Sequence, residues 1–261
     1  MTKEENKKLE NEVENKKDEI IEIEGKAFVV SDIHLKINDD RKRLFIDFIE
    51  EFRKKGNIIL LGDIFDLWIG ENKNLQKDFH EFIKVVEKKG NQIIYVEGNH
   101  DFHLRWLDEI GVPRITEAEI QINGKRFLIS HGDIYSGEIS HRIYRKILIR
   151  SENLLKFLAN GYFDSAINKI GQVIVDISRR RYINPKVSKK RKRIFSSMLS
   201  NAIKIAKHRS LDGVIFGHCH IPSLIRLENK IYINSGFWSE RYGTYIEIQD
   251  KDSIVIREWK R

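Results

Sequence analysis

The chain has 261 residues, a net charge of +8, 33% charged residues and a single cysteine, Cys219. That length buries a full core, in one domain with an insertion or in two small ones. One thiol excludes an internal disulfide and suits a reducing cytoplasm, and no apolar run is long enough to cross a bilayer.

Residues 1–18 are mostly Glu, Lys and Asn, which reads as a solvated arm ahead of a domain over 19–261. The arm lacks the apolar stretch of a secretion signal. Lys26 to Ser31 (KAFVVS) is a nearly continuous apolar run, as expected of a strand buried on both faces, and ends in Asp32-Ile33-His34. From Asp40 to Lys54 the apolar residues Leu44, Phe45, Phe48, Ile49 and Phe52 fall at helical spacing, with a stop near Gly56. Asn57 to Leu61 is a second buried strand. It breaks at Gly62 and presents Asp63 and Asp66, three positions apart; alone this pair says little, because Gly-Asp after a strand is often only a turn with a helix cap.

Leu75 to Lys89 predicts another amphipathic helix, with Phe79, Phe82, Ile83 and Val86 on one side. Gln92 to Glu97 is a third strand and ends in Gly98-Asn99-His100-Asp101. Alternating strands and helices predict a parallel sheet with helices on its faces, and in such sheets the site lies beyond the strands' carboxyl ends. Ile115 to Ile122 and Lys125 to Ser130 flank Asn123-Gly124, a strong hairpin signal, and the second run ends in His131-Gly132-Asp133.

The segment from Glu138 to Arg209 holds eighteen Lys and Arg against four acids, +14, so the remainder carries −6. It is helical by pattern, with apolar stripes at Ile167, Ile170, Ile174 and Ile177 and at Ile194, Met198, Ala202 and Ile205. It reads as a helical insertion, and its charge implies an anionic partner: nucleic acid, a phosphorylated substrate or an acidic lipid surface. Val214 to Phe216 resumes a strand and ends in Gly217-His218-Cys219-His220. The tail (223–228, 230–234, 244–249 and 254–258) alternates like an antiparallel meander.

Five strand ends thus offer Asp32 and His34, Asp63, Asn99 with His100, His131, and His218 with His220. Each piece alone is more often structural; their joint placement at carboxyl ends is hard to obtain from packing. Carboxylate and amide oxygens mixed with imidazoles suit Mn2+, Fe2+ or Zn2+ rather than Ca2+ or a thiolate-rich zinc site. With His100 set aside, the donors exceed the need of one ion and fit two that share a bridging carboxylate. Cys219 reads as a small buried residue, not a ligand.

These five segments resemble the motifs of the calcineurin-like metallophosphoesterases and span most of the chain from Ala27 onward. The resemblance implies a four-layer α/β sandwich of the metallophosphoesterase type. It assigns Asp32, His34, Asp63 and His220 to one ion, and Asp63, Asn99, His131 and His218 to the other, with Asp63 the bridge. His100 would sit beside the scissile phosphate and Asp66 would orient it. Asp101 and Asp133 read as supports for the ligands, Asp101 equally as a plain turn cap.

Within the family the nearer likeness is to the UDP-2,3-diacylglucosamine diphosphatase branch of lipid A synthesis. It is carried by Phe65-Asp66-Leu67-Trp68-Ile69-Gly70, Phe102, the insertion and Gly236-Phe237-Trp238. That likeness implies a lid over 138–209, two Mn2+ ions (or Fe2+ or Zn2+), and hydrolysis of a nucleotide-linked glycolipid to UMP and a lipid monophosphate. It also implies peripheral attachment to the anionic inner face of the membrane from the cytoplasm, with no obligatory protein partner. Lys189 and Lys190 are the expected phosphate contacts, and the apolar stripes could face lipid. Several family members carry Arg where this chain has His100, and Glu where it has Asp66. The alternative is a general phosphodiesterase or nuclease gripping nucleic acid through the basic segment. Its aliphatics outnumber stacking aromatics, which favours lipid. A non-enzymatic scaffold is disfavoured, since every ligand position is filled.

Overall fold

The computed structural model of the protein describes residues 20–138, 185–250 and 253–260. A short strand, β1 (Ile21–Ile23), precedes β2 (Ala27–Val30), all four of whose residues are buried. The chain then alternates through α1 (Arg41–Phe52), β3 (Asn57–Leu61), β4 (Trp68–Ile69), α2 (Lys73–Asp78), α3 (His80–Glu87) and β5 (Ile93–Val96). It continues with β6 (Asp101–Phe102), α4 (Trp106–Glu109), β7 (Arg114–Ile115), β8 (Glu117–Ile122) and β9 (Lys125–Ser130). The long helix α5 (Pro185–His208) leads into β10 (Gly213–Phe216), β11 (Ser223–Leu227), β12 (Lys230–Asn234), β13 (Gly243–Ile248) and β14 (Ile254–Trp259).

Two six-stranded sheets result, in the orders β14-β13-β2-β3-β5-β7 and β1-β8-β9-β10-β12-β11. Strand periodicity divides the side chains between layers. Ile58 and Leu60 of β3 face the helices α1 to α4, whereas Ile59 and Leu61 face the second sheet, where they meet Ile120, Ile129, Ile215 and Ile233. The outer face of the second sheet, with Leu128, Val214, Phe216 and Tyr232, is covered by Ile194, Met198, Ala202 and Ala206 of α5. The order is helix, sheet, sheet, helix: the expected four-layer sandwich.

Parallel registers bring the functional loops level. Val30 pairs with Leu60 and Leu61 with Val96 in the first sheet, and Ile215 with Ile129 in the second. All the motif loops therefore emerge at one edge. Asn123 and Gly124 close the β8–β9 hairpin with φ of 49° and 82°, the left-handed pair that a tight two-residue turn requires.

Several expectations are corrected. The helix over 75–89 starts earlier, where the Asn72 side chain caps Asn74 and Leu75, and breaks at Phe79 into α2 and α3. Phe79 leaves helical geometry with its ring against Phe65, 4.8 Å between centroids. Ile115 pairs with β5 and is not in the hairpin. The tail is two hairpins on different sheets: β12 lies parallel to β10 in the second, while β13 lies antiparallel to β2 in the first. Alternation shows which face is buried, not which sheet supplies the cover.

The arm (1–18), the stripe at Ile167 to Ile177 and most of the expected lid lie outside the described residues. The stripe at Ile194, Met198 and Ala202 is interior, so it does not face lipid. An open sheet face needs cover, and this apolar stripe supplies it. Among the described residues no helix is long and apolar enough to cross a membrane.

Candidate metal centre

The loops at this edge carry unusual backbone. Asp32, His34, Asp63, His218 and His220 have φ of 56°, 50°, 53°, 65° and 56°. Non-glycine residues seldom adopt this region, and each costs on the order of 1 kcal/mol or more. Such strain at five residues facing one point needs neighbours that enforce it. Glycine permits the close approach: a Cβ on Gly98 would collide with the Asp63 carboxylate and backbone, and one on Gly217 with Ser31 and Asp32.

Asp101, fully buried, enforces much of this geometry. Its carboxylate accepts the N–H groups of Asp63 (2.9 Å), Ile64 (2.6 Å), Phe65 (3.3 Å) and Gly98 (2.8 Å), and the Tyr95 hydroxyl (2.6 Å). The loops after β3 and β5 are thereby locked together. Burial, then the Asp63 charge, push its carboxyl up to about 7. Asp133 is fully buried beneath His131, and its charge helps to raise that imidazole's pKa.

The side chains converge in overlapping groups: Asp32, His34 and His220; His34, Asp63 and His100; Asp63, His131 and His218. His220 Nε2 lies 3.0 Å from Asp32 Oδ1 and 3.3 Å from His34 Nε2. His131 Nε2 lies 3.2 Å, and His34 Nε2 3.9 Å, from Asp63 Oδ2. Asp63 is shared by the second and third groups, and His34 by the first and second. His131 donates from Nδ1 to the Leu61 carbonyl (3.0 Å), which leaves Nε2 for the site. Asp32 Oδ2 accepts from Ser31 and from the His218 N–H (2.9 Å), so Oδ1 faces inward.

Buried Asn99 Oδ1 has no hydrogen-bond partner, and Asp32 Oδ1 and His131 Nε2 lie against only His220 and Asp63 of the same cluster. Buried polar atoms are rarely left so, and oxygen and imidazole donors pointing at a common centre are what a divalent cation satisfies. The donor set fits a metal. Charge agrees. Burial opposes ionisation of Asp32, but the His220 imidazole holds its carboxyl down at about 2. Burial likewise opposes the Asp63 charge, yet His131 and His100 hold it well below the usual range. Burial, then His100, push His34 down to about 3, leaving a neutral ring with a lone pair to give.

His100 stands differently. Its backbone N–H donates to Asp63 Oδ1 (2.9 Å), and its Nδ1 meets the main-chain carbonyl of Asp66 at 2.6 Å. Nε2 is thereby turned towards the site, 4.0 Å from Asp63 Oδ2, with about a quarter of the side chain exposed. The Asp66 main-chain carbonyl thus fixes this ring, and Asp66 itself is buried. Cys219 is buried, and burial pushes its thiol up to about 12, which suits packing and not coordination. Lys189 and Lys190 are exposed on α5. Lys190 pairs with Glu138 at 2.8 Å, and no hydrogen bond or ion pair joins either lysine to the donor cluster.

Sequence reasoning missed Arg41, whose guanidinium reaches the carbonyls of Ile33 (2.8 Å), His34 (2.9 Å) and Trp238 (3.2 Å). A cation at the start of a helix was the available clue.

The calcineurin-like phosphoesterase family matches this chain over residues 25–222. A UDP-2,3-diacylglucosamine hydrolase of Haemophilus influenzae is 24% identical over 231 residues, covering 86% of this chain and 95% of that protein. One of Wigglesworthia glossinidia brevipalpis is 27% identical, with 87% and 92% covered. One of Aliivibrio fischeri is 27% identical, with 88% and 98% covered.

Proposed function

The chain belongs to the calcineurin-like phosphoesterase family, and from that premise we propose that it hydrolyses the pyrophosphate bond of UDP-2,3-diacylglucosamine, giving UMP and 2,3-diacylglucosamine 1-phosphate. One observation carries the chemistry: the donor groups run together, Asp63 joining His34 to His131 and His218, and His34 joining Asp63 to Asp32 and His220. The relatives, matched over nearly their whole length, supply the substrate.

In this reading Asp32, His34, Asp63 and His220 hold one divalent ion, and Asp63, Asn99, His131 and His218 the other. Mn2+ is the first candidate, then Fe2+ or Zn2+. Such ions supply Lewis acidity to phosphoryl oxygens and lower the pKa of a water. The chain's own residues do the rest. Asp63 divides its oxygens, Oδ1 towards the His100 N–H and Oδ2 towards the imidazoles. His100, fixed through Nδ1, presents Nε2 to hold a proton for the departing phosphate oxygen. Exposed Lys189, Lys190, Lys192 and Arg193 on α5 offer positive charge to an anionic headgroup surface at the inner membrane face.

A panel assay with Mn2+ tests the reading, comparing UDP-2,3-diacylglucosamine, bis-p-nitrophenyl phosphate and single-stranded DNA. The glycolipid should give the highest kcat/KM. Preference for DNA would replace this reading with the nuclease one.

A further inference from the structure

Arg41 opens α1, where the unpaired N–H groups of the first turn already concentrate positive charge and no acid in that turn offsets it. A guanidinium there needs a use that outweighs its position. Asp39 holds it in place: Oδ1 accepts the Arg41 backbone N–H (3.0 Å) and Nε (2.9 Å), and Oδ2 accepts Nη2 (2.6 Å). The pair is mostly buried, with 15% of the Arg41 side chain and 9% of that of Asp39 exposed. Burial would raise the Asp39 pKa, but the Arg41 hydrogen bonds hold it below its ordinary value.

Fixed this way, the guanidinium gathers three carbonyls from two loops. Nη1 donates to Ile33 and Trp238, and Nη2 to His34. His34 has φ of 50°, so its peptide is turned out of regular strand geometry and its carbonyl finds its donor here. Trp238 is the fixed end of the link. Its indole packs edge-on against Phe45 and Phe48, 5.1 and 5.4 Å between centroids, and its Nε1 donates to the Thr244 carbonyl (3.2 Å). The Trp238 N–H also donates to the Asp32 carbonyl at 3.3 Å.

We infer that Arg41 is a positioning residue for the ion site formed by Asp32, His34 and His220. It ties the strained His34 peptide to the aromatic core through Trp238, so that the imidazole stays against Asp32 and His220 with no cost at the moment of binding. The inference rests on the proposed role of those three side chains as ligands. Groups standing behind metal ligands typically alter affinity 10–100-fold when removed. Lysine cannot replace this group, because a point charge on a flexible stem does not reproduce a planar fork meeting three acceptors.

Arg41→Met and Arg41→Lys test it, read by Mn2+ titration calorimetry and by the absorption spectrum of bound Co2+. The wild type should take up two ions. Arg41→Met should weaken one of them about 10–100-fold, leave the other within about twofold, and change the Co2+ band of the weakened site. Arg41→Lys should recover only part of the loss. In a His220→Ala background, where that site is already crippled, Arg41→Met should do nothing further; in a His131→Ala background it should remove most of the remaining uptake. Two ions at wild-type affinity in a folded Arg41→Met variant would overturn the inference and leave the ligand assignment standing. A wild type that takes up no divalent ion would overturn both. If Arg41→Met does not fold, Arg41→Lys decides: unchanged affinity and spectrum in that variant also overturn the inference.

Discussion

Asp63 and His100 are neighbours with separable roles. Asp63 joins two donor groups, whereas His100 touches it through a backbone N–H and keeps its ring on the open side. Asp63→Ala is expected to abolish both ion uptake and turnover. His100→Ala should keep its ions, measured by metal analysis, while kcat falls about 10²–10⁴-fold, the usual worth of a positioned acid or base. Loss of ions in the His100 variant would show that the ring is a ligand. His131 makes a second prediction. Burial disfavours its charge, but the Asp63 carboxylate raises the imidazole to about 10. Since the folded pKa is raised, the charged ring stabilises the ion-free protein fully below about 6.5, and that stability is lost as pH rises through about 10. A cation must displace this proton, so ion affinity should climb with pH across that window and uptake near pH 7.5 should release protons. Asp32, already ionised, contributes none. Calorimetry in two buffers of different ionisation heat measures the release; identical heats in both would refute it.

The strands and their carboxyl-end loops were readable in advance because doubly buried strands leave continuous apolar runs, as at Ala27–Val30 and Asn57–Leu61. The donors were readable too, since each follows such a run. What was not readable depended on partners distant in the chain. β12 and β13 follow one another yet join different sheets, and nothing in Lys230–Asn234 names β10 as its neighbour. The α5 stripe could not be told from a lipid-facing one until the bare face of the second sheet lay opposite it. That placement is testable. Met198→Ala should lower stability by about 2–5 kcal/mol, the range for emptying a filled core site, measured by urea titration. A neutral result would mean that α5 is not part of the core. The backbone carries a similar demand at Gly98, where an added Cβ meets the Asp63 carboxylate. Gly98→Ala should therefore cost ion affinity even if the fold survives, which metal analysis of the purified variant would reveal.

The two sheets contribute to one centre from opposite sides. Asp32, His34, Asp63 and Asn99 follow strands of the first sheet; His131, His218 and His220 follow strands of the second. Elsewhere the sheets are held by apolar contact, including Val29, Ile59 and Leu61 against Ile129, Ile215 and Ile233. At the site edge that packing gives way to carboxylates and imidazoles, with strained backbone on both sides. In the proposed reading the ions complete the sandwich there as well as serving catalysis. A ligand bound only by the folded state stabilises it by about 2.7 kcal/mol at a hundred times its Kd. Two such sites would contribute about 5 kcal/mol, against a net stability of roughly 5–15 kcal/mol for a typical domain. Chelation should accordingly lower the melting temperature by scanning calorimetry and hasten amide exchange first in the loops at 31–35, 62–66 and 217–220. The Asp63→Ala variant, unable to load, should melt at one temperature with or without chelator. If chelator lowered both proteins equally, the effect would lie elsewhere than in this centre, and the ions would have no part in holding the two sheets together.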